Sequence, residues 1–199
     1  MLTKIYERNP SERELRRAAA VLDGDGVVIC PTDSLYAFGC SVRSARGLAR
    51  LRAMKNKEEF SLIFADFGQV ADYCRVDNAS FRLLKRHLPG AFTFILPALS
   101  RVPDKLLGRR RTVGIRIPSH PVVRALVETL GCPLVTTSVP DDESQPEYAT
   151  DPELLHERYG READLVIDGG PGGRIPTTVV DLTEGEPQLL REGRGLWND

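Results

Sequence analysis

Long apolar runs are missing from this 199-residue sequence. Those present, such as residues 27–29 and 95–96, are a few residues each, against the ~20 that a bilayer-spanning helix needs. That excludes a transmembrane helix. Residues 1–8 carry no apolar segment of the kind found in a secretory signal, so the chain is expected in the cytoplasm, with no membrane partner. Cysteine is sparse: Cys30, Cys40, Cys74 and Cys132, with no Cys-x-x-Cys spacing. Four thiols could pair by parity, but a cytoplasmic chain keeps them reduced, and the spacing offers no structural zinc site. No metal-ligand set is expected. Neither sign of charge is in excess, since 27 Lys and Arg face 28 Asp and Glu for a net charge of −1. A global polycationic grip on nucleic acid is excluded, while a local basic patch is not. Repeats, low-complexity tracts and long Pro/Gly linkers are lacking too, so a single domain over residues 1–199 is expected. The 41% of hydrophobic residues rules out bulk disorder.

The segments that are present alternate between helix and strand patterns. Asn9-Pro10-Ser11 opens a helix. Ser11 is placed to cap it and Glu14 to close a capping box. Leu15, Ala18, Ala19 and Leu22 then form one apolar face, and Gly24 and Gly26 end the helix. Helices are also expected over 44–54, 67–73, 78–88, 121–130 and 151–159, the last with Asp151 as its cap and Pro152 at its first position. Strands are expected over 27–30, 61–65, 91–96, 112–117, 134–137, 163–167, 177–182 and 188–191. This alternation, with several strands adjacent in sequence, implies an α/β domain on a twisted mixed sheet flanked by helices, not a regular doubly wound fold.

Chemistry collects at the strand ends. Pro31-Thr32-Asp33-Ser34 follows a buried strand, where ligands bind in open α/β sheets and where side-chain bonds also hold turns. Lys55-Asn56-Lys57 ends the second helix, where lysines complement the dipole or grip phosphate. Arg116 stands between Ile115 and Ile117, which alternation sends to the opposite face. A guanidinium on a central strand is costly to bury unpaired, so Arg116 requires an internal carboxylate or an anionic ligand. Arg109-Arg110-Arg111, just before that strand, is either a solvated loop or a contact for RNA or nucleotide phosphate. Thr136-Thr137-Ser138 supplies hydroxyls for a phosphate or for a turn. His87, His120 and His156 have no Ser or Cys partner at the spacing a triad needs, and no catalytic residue is singled out.

Taken in order, these segments resemble the YrdC/TsaC family, the threonylcarbamoyl-AMP synthases. Pro31 to Gly39 matches its Pro-Thr-[Asp/Glu]-[Thr/Ser]-x-Tyr-x-x-Gly stretch. Lys55-Asn56-Lys57 stands where a Lys-x-Arg is found. Pro89-Gly90-Ala91-Phe92-Thr93, Val113 to Pro121, Thr177 to Asp181 and Arg191-Glu192-Gly193 follow in the family's order. The likeness covers about residues 10–195. It implies a YrdC-like fold, related to double-stranded-RNA-binding α/β domains, with a concave basic cleft. It also implies a nucleotidyltransferase reaction in which L-threonine, bicarbonate and ATP give threonylcarbamoyl-AMP and pyrophosphate, on the way to threonylcarbamoyladenosine at position 37 of tRNA. By resemblance, Thr32, Arg116 and Thr177 hold L-threonine, with Arg116 on its carboxylate. Lys55, Lys57, Thr112, Ser138 and Arg191 surround ATP, and Mg²⁺ rides mainly on the ATP phosphates. The same fold is linked to binding of double-stranded RNA or tRNA, for which Arg109, Arg110 and Arg111 are the candidates. It is also linked to carbamoyl-adenylate-type transfer.

Three positions depart from the family pattern and resemble its YciO branch. Lys57 replaces an arginine, Glu58 a proline, and Pro140 the asparagine expected two residues after Ser138. Lysine cannot offer the two parallel donors of a guanidinium. Pro140 brings neither a side-chain amide nor a backbone N–H. The expectation is a protein that binds ATP and synthesises the adenylate slowly.

Overall fold

The computed structural model describes residues 1–54, 60–140 and 143–198. Strand β1 (Leu2–Lys4) leads into helix α1 (Glu12–Asp23), whose N-cap Ser11 accepts the Glu14 N–H at 3.5 Å and whose Leu15, Ala18, Ala19 and Leu22 are buried. The capping box does not close. The Glu14 carboxylate instead accepts the Thr3 hydroxyl at 2.9 Å and lies 3.6 Å from Arg17, because β1 brings a competing donor beside it.

The remaining elements are β2 (Val28–Cys30), β3 (Ala37–Ser41), α2 (Ala45–Met54), β4 (Ser61–Ile63), α3 (Phe67–Tyr73), α4 (Asn78–His87), β5 (Phe92–Pro97), β6 (Thr112–Arg116), α5 (Pro121–Leu130), β7 (Leu134–Ser138), α6 (Glu147–Thr150), α7 (Pro152–Tyr159), β8 (Leu165–Asp168), β9 (Thr178–Asp181) and β10 (Gln188–Arg191). They follow the sequence pattern closely, with three additions: β1, β3 and the one-turn helix α6. Strand β1 is three residues at the chain start, too short to show a period. Strand β3 lies between the expected strand over 27–30 and the expected helix over 44–54, where the pattern predicts no element. All five of its residues are buried, so it shows no polar alternation.

The strands form one twisted mixed sheet in the order β1-β8-β2-β3-β7-β4-β6-β5-β9-β10. Four pairs are parallel (β1–β8, β2–β8, β4–β6, β5–β9) and the others antiparallel. Helix α1 packs on α5, which starts with Pro121 and stops at Gly131, held in the left-handed region at φ 71°. Phe92, Phe94, Leu96, Val113, Ile115, Leu62, Val135 and Val180 turn one face of the sheet's centre into the core. The four cysteines are free and buried, and burial pushes the thiols of Cys30, Cys40 and Cys74 up to about 12. Among the described residues no helix is long and apolar enough to cross a membrane.

Candidate functional site

The opposite face of the same strands is polar and small. Strict alternation turns Thr136 of β7, Ser61 of β4 and Gly114 of β6 to one side, and register sets them in a row: Ser61 faces both Thr136 and Gly114. The Ser61 and Thr136 hydroxyls are 3.2 Å apart. The row is low because its members are small, and a Cβ on Gly114 would lie 3.0 Å from Thr93 Cγ2. Above it opens a cleft of about 450 Å³, lined also by Thr93, Arg116, Thr137, Ser138, Thr177 and Arg191, with Leu35, Phe60, Pro176 and Val179 as its apolar part. That volume is within the range of small-molecule sites. Two guanidinium groups and a band of hydroxyls line it, and no described lining residue is acidic. It is built for an anion.

Arg116 is the deep cation, 5% exposed at the end of β6, with Ile115 and Ile117 on the core side as alternation requires. Its Nη2 donates toward Asp33 Oδ1 at 3.0 Å, Ser34 Oγ at 3.0 Å and Thr32 Oγ1 at 3.2 Å. Three acceptors thus converge on one nitrogen that has two hydrogens. The buried Nε–H has no acceptor. Burial pulls the pKa of Arg116 below its ordinary value, and the Asp33 carboxylate works against that shift. Asp33 is fully engaged: its Oδ2 accepts the Ser119 N–H at 2.7 Å and the Ser119 hydroxyl at 3.2 Å, at the entry of α5, where the helix dipole favours an anion. The next residue, His120, meets Glu7 Oε1 through Nε2 at 2.9 Å, while its Nδ1 is buried without a partner.

The other wall is held by Thr177. Its hydroxyl is 2.8 Å from that of Thr93. Arg191 donates to the Thr177 carbonyl from Nε at 3.1 Å and from Nη2 at 3.0 Å, and Nη2 also reaches the Thr177 hydroxyl at 3.3 Å.

Of the residues expected from sequence, Arg116, Ser138, Thr177 and Arg191 share the cleft lining. Thr32 lies beneath it. Its hydroxyl donates to Leu35 O at 2.7 Å and accepts from Ser34 N and Arg116, so it touches the cleft through Arg116. Thr112 starts β6 opposite Pro97, four residues from Arg116 on the same strand. Lys55 and Lys57, with Glu58, lie outside the described residues. Arg110 pairs with Glu184 at 3.7 Å and Arg111 with Asp104 at 3.0 Å, and neither they nor Arg109 line the cleft. The sequence placed Asp33 and Ser34 in a candidate segment without giving them a role, and did not point to Ser61, Thr93 or Gly114 as site residues. For Asp33 the signal was present, since a buried Arg116 demands a carboxylate. For Thr93 it was the alternation with Phe92 and Phe94.

Residues 20–193 match the family model Sua5_yciO_yrdC, described as "Telomere recombination". The chain is 39% identical over 197 residues to the uncharacterised protein YciO of Escherichia coli K12, covering 96% of this chain and 94% of that one. It is 34% identical over 176 residues to the threonylcarbamoyl-AMP synthase of Halorhodospira halophila, covering 86% and 91%. The crystal structure of E. coli YciO superposes with a TM-score of 0.91 at 38% identity, over 98% of this chain and 96% of that one. P. abyssi Sua5 complexed with L-threonine superposes with a TM-score of 0.84 at 25% identity, over 97% of this chain and 57% of that one.

Proposed function

The chain belongs to the Sua5/YciO/YrdC family, and on that premise we propose that its cleft binds L-threonine and ATP and forms threonylcarbamoyl-AMP. The observation that carries the reading is that the Arg116 guanidinium lines a cleft rich in hydroxyls, with no carboxylate among the described lining residues. An amino-acid carboxylate is an anion that suits such a lining. The threonine hydroxyl then lies toward Thr93 and Thr177. The family's relatives named threonylcarbamoyl-AMP synthase, and a Sua5 that was crystallised with L-threonine, support this choice of amino acid.

In the reaction, bicarbonate and the threonine amine condense to a carbamate with loss of water. A carbamate oxygen attacks the α-phosphorus of ATP, and the bond to the β-phosphate oxygen breaks to release pyrophosphate. The chain's part is to hold the reactants in line and to spread charge. Ser138 and Arg191 contact the nucleotide, with Thr112 at the far end of β6, and the family pattern adds the charges of Lys55 and Lys57 to the phosphates. Thr32 and Asp33 keep Arg116 in place. Mg²⁺ travels on the ATP phosphates. The product is an activated carbamoyl donor for tRNA adenosine in the cytoplasm, and turnover is slow because Lys57 and Pro140 lack the donors found in full-motif relatives. Binding of RNA as the main role is less favoured, because Arg110 and Arg111 are ion-paired within the chain.

The test is ATP consumption with bicarbonate, with and without L-threonine, and mass detection of the adenylate. Threonine-dependent pyrophosphate release supports the reading. ATP turnover indifferent to threonine overturns it and points to a different carbamoyl acceptor.

A further inference from the structure

Strand β10 is the outermost of the sheet, paired only with β9, and all four of its residues are exposed. It ends in Arg191, which nevertheless must keep its guanidinium on Thr177 at the cleft wall. A short edge strand with one neighbour is weakly held. The residues after it supply the hold. Gly193 N donates to Thr178 Oγ1 at 2.9 Å, Arg194 N to Pro176 O at 2.8 Å, and Thr178 Oγ1 to Gly195 O. The tail lies so flat that a Cβ on Gly193 would collide with the Pro176 carbonyl, and one on Gly195 would lie 2.6 Å from the Phe92 ring. At its end Trp197 stacks on His87 of α4, ring centroids 4.8 Å apart and planes 26° apart, next to Phe94 at 6.4 Å. His87 in turn meets Phe92 at 4.8 Å. Trp197 is the chain's one tryptophan.

We propose that residues 192–198 are a strap anchored by Trp197 on His87, and that Trp197 is a positioning residue that holds Arg191 for the ATP phosphates. The proposal rests on the reading of Arg191 as a nucleotide contact. Trp197 touches no reactant. It acts through the tail, because the bonds of Gly193 and Arg194 to the Pro176–Thr178 segment form only while the tail lies flat on β9 and β5. Losing the anchor lets the tail and β10 fray together, and the Arg191 guanidinium leaves Thr177. L-threonine, held mainly at the Arg116 end, depends on it less, through Thr177 alone.

Trypsin cuts after arginine, so Arg191 and Arg194 report on the strap with no ligand present. Release of the C-terminal peptide is followed by mass spectrometry, with cleavage at 109–111 as internal reference. Trp197→Ala is expected to release it at least tenfold faster than wild type, and Trp197→Phe, which keeps a ring on His87, to restore protection. Equal release from the Ala variant and wild type overturns the strap. Calorimetric titration then tests the coupling: Trp197→Ala weakens ATP binding about tenfold, and is rescued by Phe. In wild type, ATP changes Trp197 fluorescence, and in Arg191→Ala it does not. Unchanged ATP affinity in a Trp197→Ala protein with a released tail overturns the positioning role. A wild type that binds no ATP instead refutes the synthase reading and the nucleotide half of this proposal with it. The trypsin comparison decides the anchor in either case.

Discussion

Replacing Asp33 by asparagine isolates what the buried ion pair contributes. The side chains of Arg116 and Asp33 are 6% and 9% exposed and meet at 3.0 Å. Asparagine keeps the shape, and its carbonyl can still accept from Nη2. It removes the charge that compensates a buried guanidinium, and it forces an N–H₂ or a carbonyl toward Ser119, not a second carboxylate oxygen. Removing one partner of a buried pair costs about 3–5 kcal/mol. Thr32 and Ser34 continue to accept from Arg116, which places Asp33→Asn near the low end, about 3 kcal/mol. For a chain of this size that is a fall of roughly 6–12 °C in thermal midpoint. Urea unfolding, followed by far- and near-ultraviolet circular dichroism, measures it directly. The companion variant is Arg116→Met, alone and with Asp33→Asn. Removing both charges leaves none stranded, so the double variant is expected to be less destabilised than the sum of the singles by about 2 kcal/mol. An Asp33→Asn protein within about 0.5 kcal/mol of wild type, or additive singles, refutes the assignment of Asp33 as the internal counter-ion.

Gly114→Val adds methyl groups at the cleft floor beside Thr93 and Ser61. L-threonine affinity should fall at least about tenfold, while stability drops by only about 1–3 kcal/mol of overpacking. Affinity equal to wild type would show that the ligand does not reach the Ser61–Gly114 row. Burial holds the pKa of His120 below its ordinary 6.5, with Glu7 and Asp33 opposing, and burial lowers His87 likewise. The unfolded chain therefore takes up protons that the folded chain excludes, and stability, full above about pH 6.5, falls as pH drops below it. Urea midpoints at pH 7 and pH 5 check this, and His120→Gln should reduce the difference; an undiminished slope in that variant removes His120 as a source. Finally, Lys57→Arg with Pro140→Asn should raise adenylate formation, since one preorganised donor is worth about 10²–10³ in rate. Unaltered turnover in that double variant would detach the slow rate from these two positions.

The sequence by itself determined most of the elements, because their signals are local. Ser11, Asp151 with Pro152, and Gly131 mark helix ends through backbone groups within a few residues of themselves. The 112–117 strand and its Arg116 were legible because alternation between Ile115 and Ile117 is a property of the strand alone. The demand of that arginine for a buried anion was legible for the same reason. Which anion meets it was not. Asp33 stands 83 residues away, and only the folded sheet brings β6, the turn after β2 and the entry of α5 to one point. The strands β1 and β3 were also invisible. Three residues are too few for a period, and a strand buried on both faces has none to show. The cleft itself is a product of register. Thr136, Ser61 and Gly114 belong to three strands, and only Thr136, in its run of hydroxyls, stands out in its own segment. They become one floor because antiparallel and parallel pairing align them, and inter-strand hydrogen bonds, not any local preference, set that alignment.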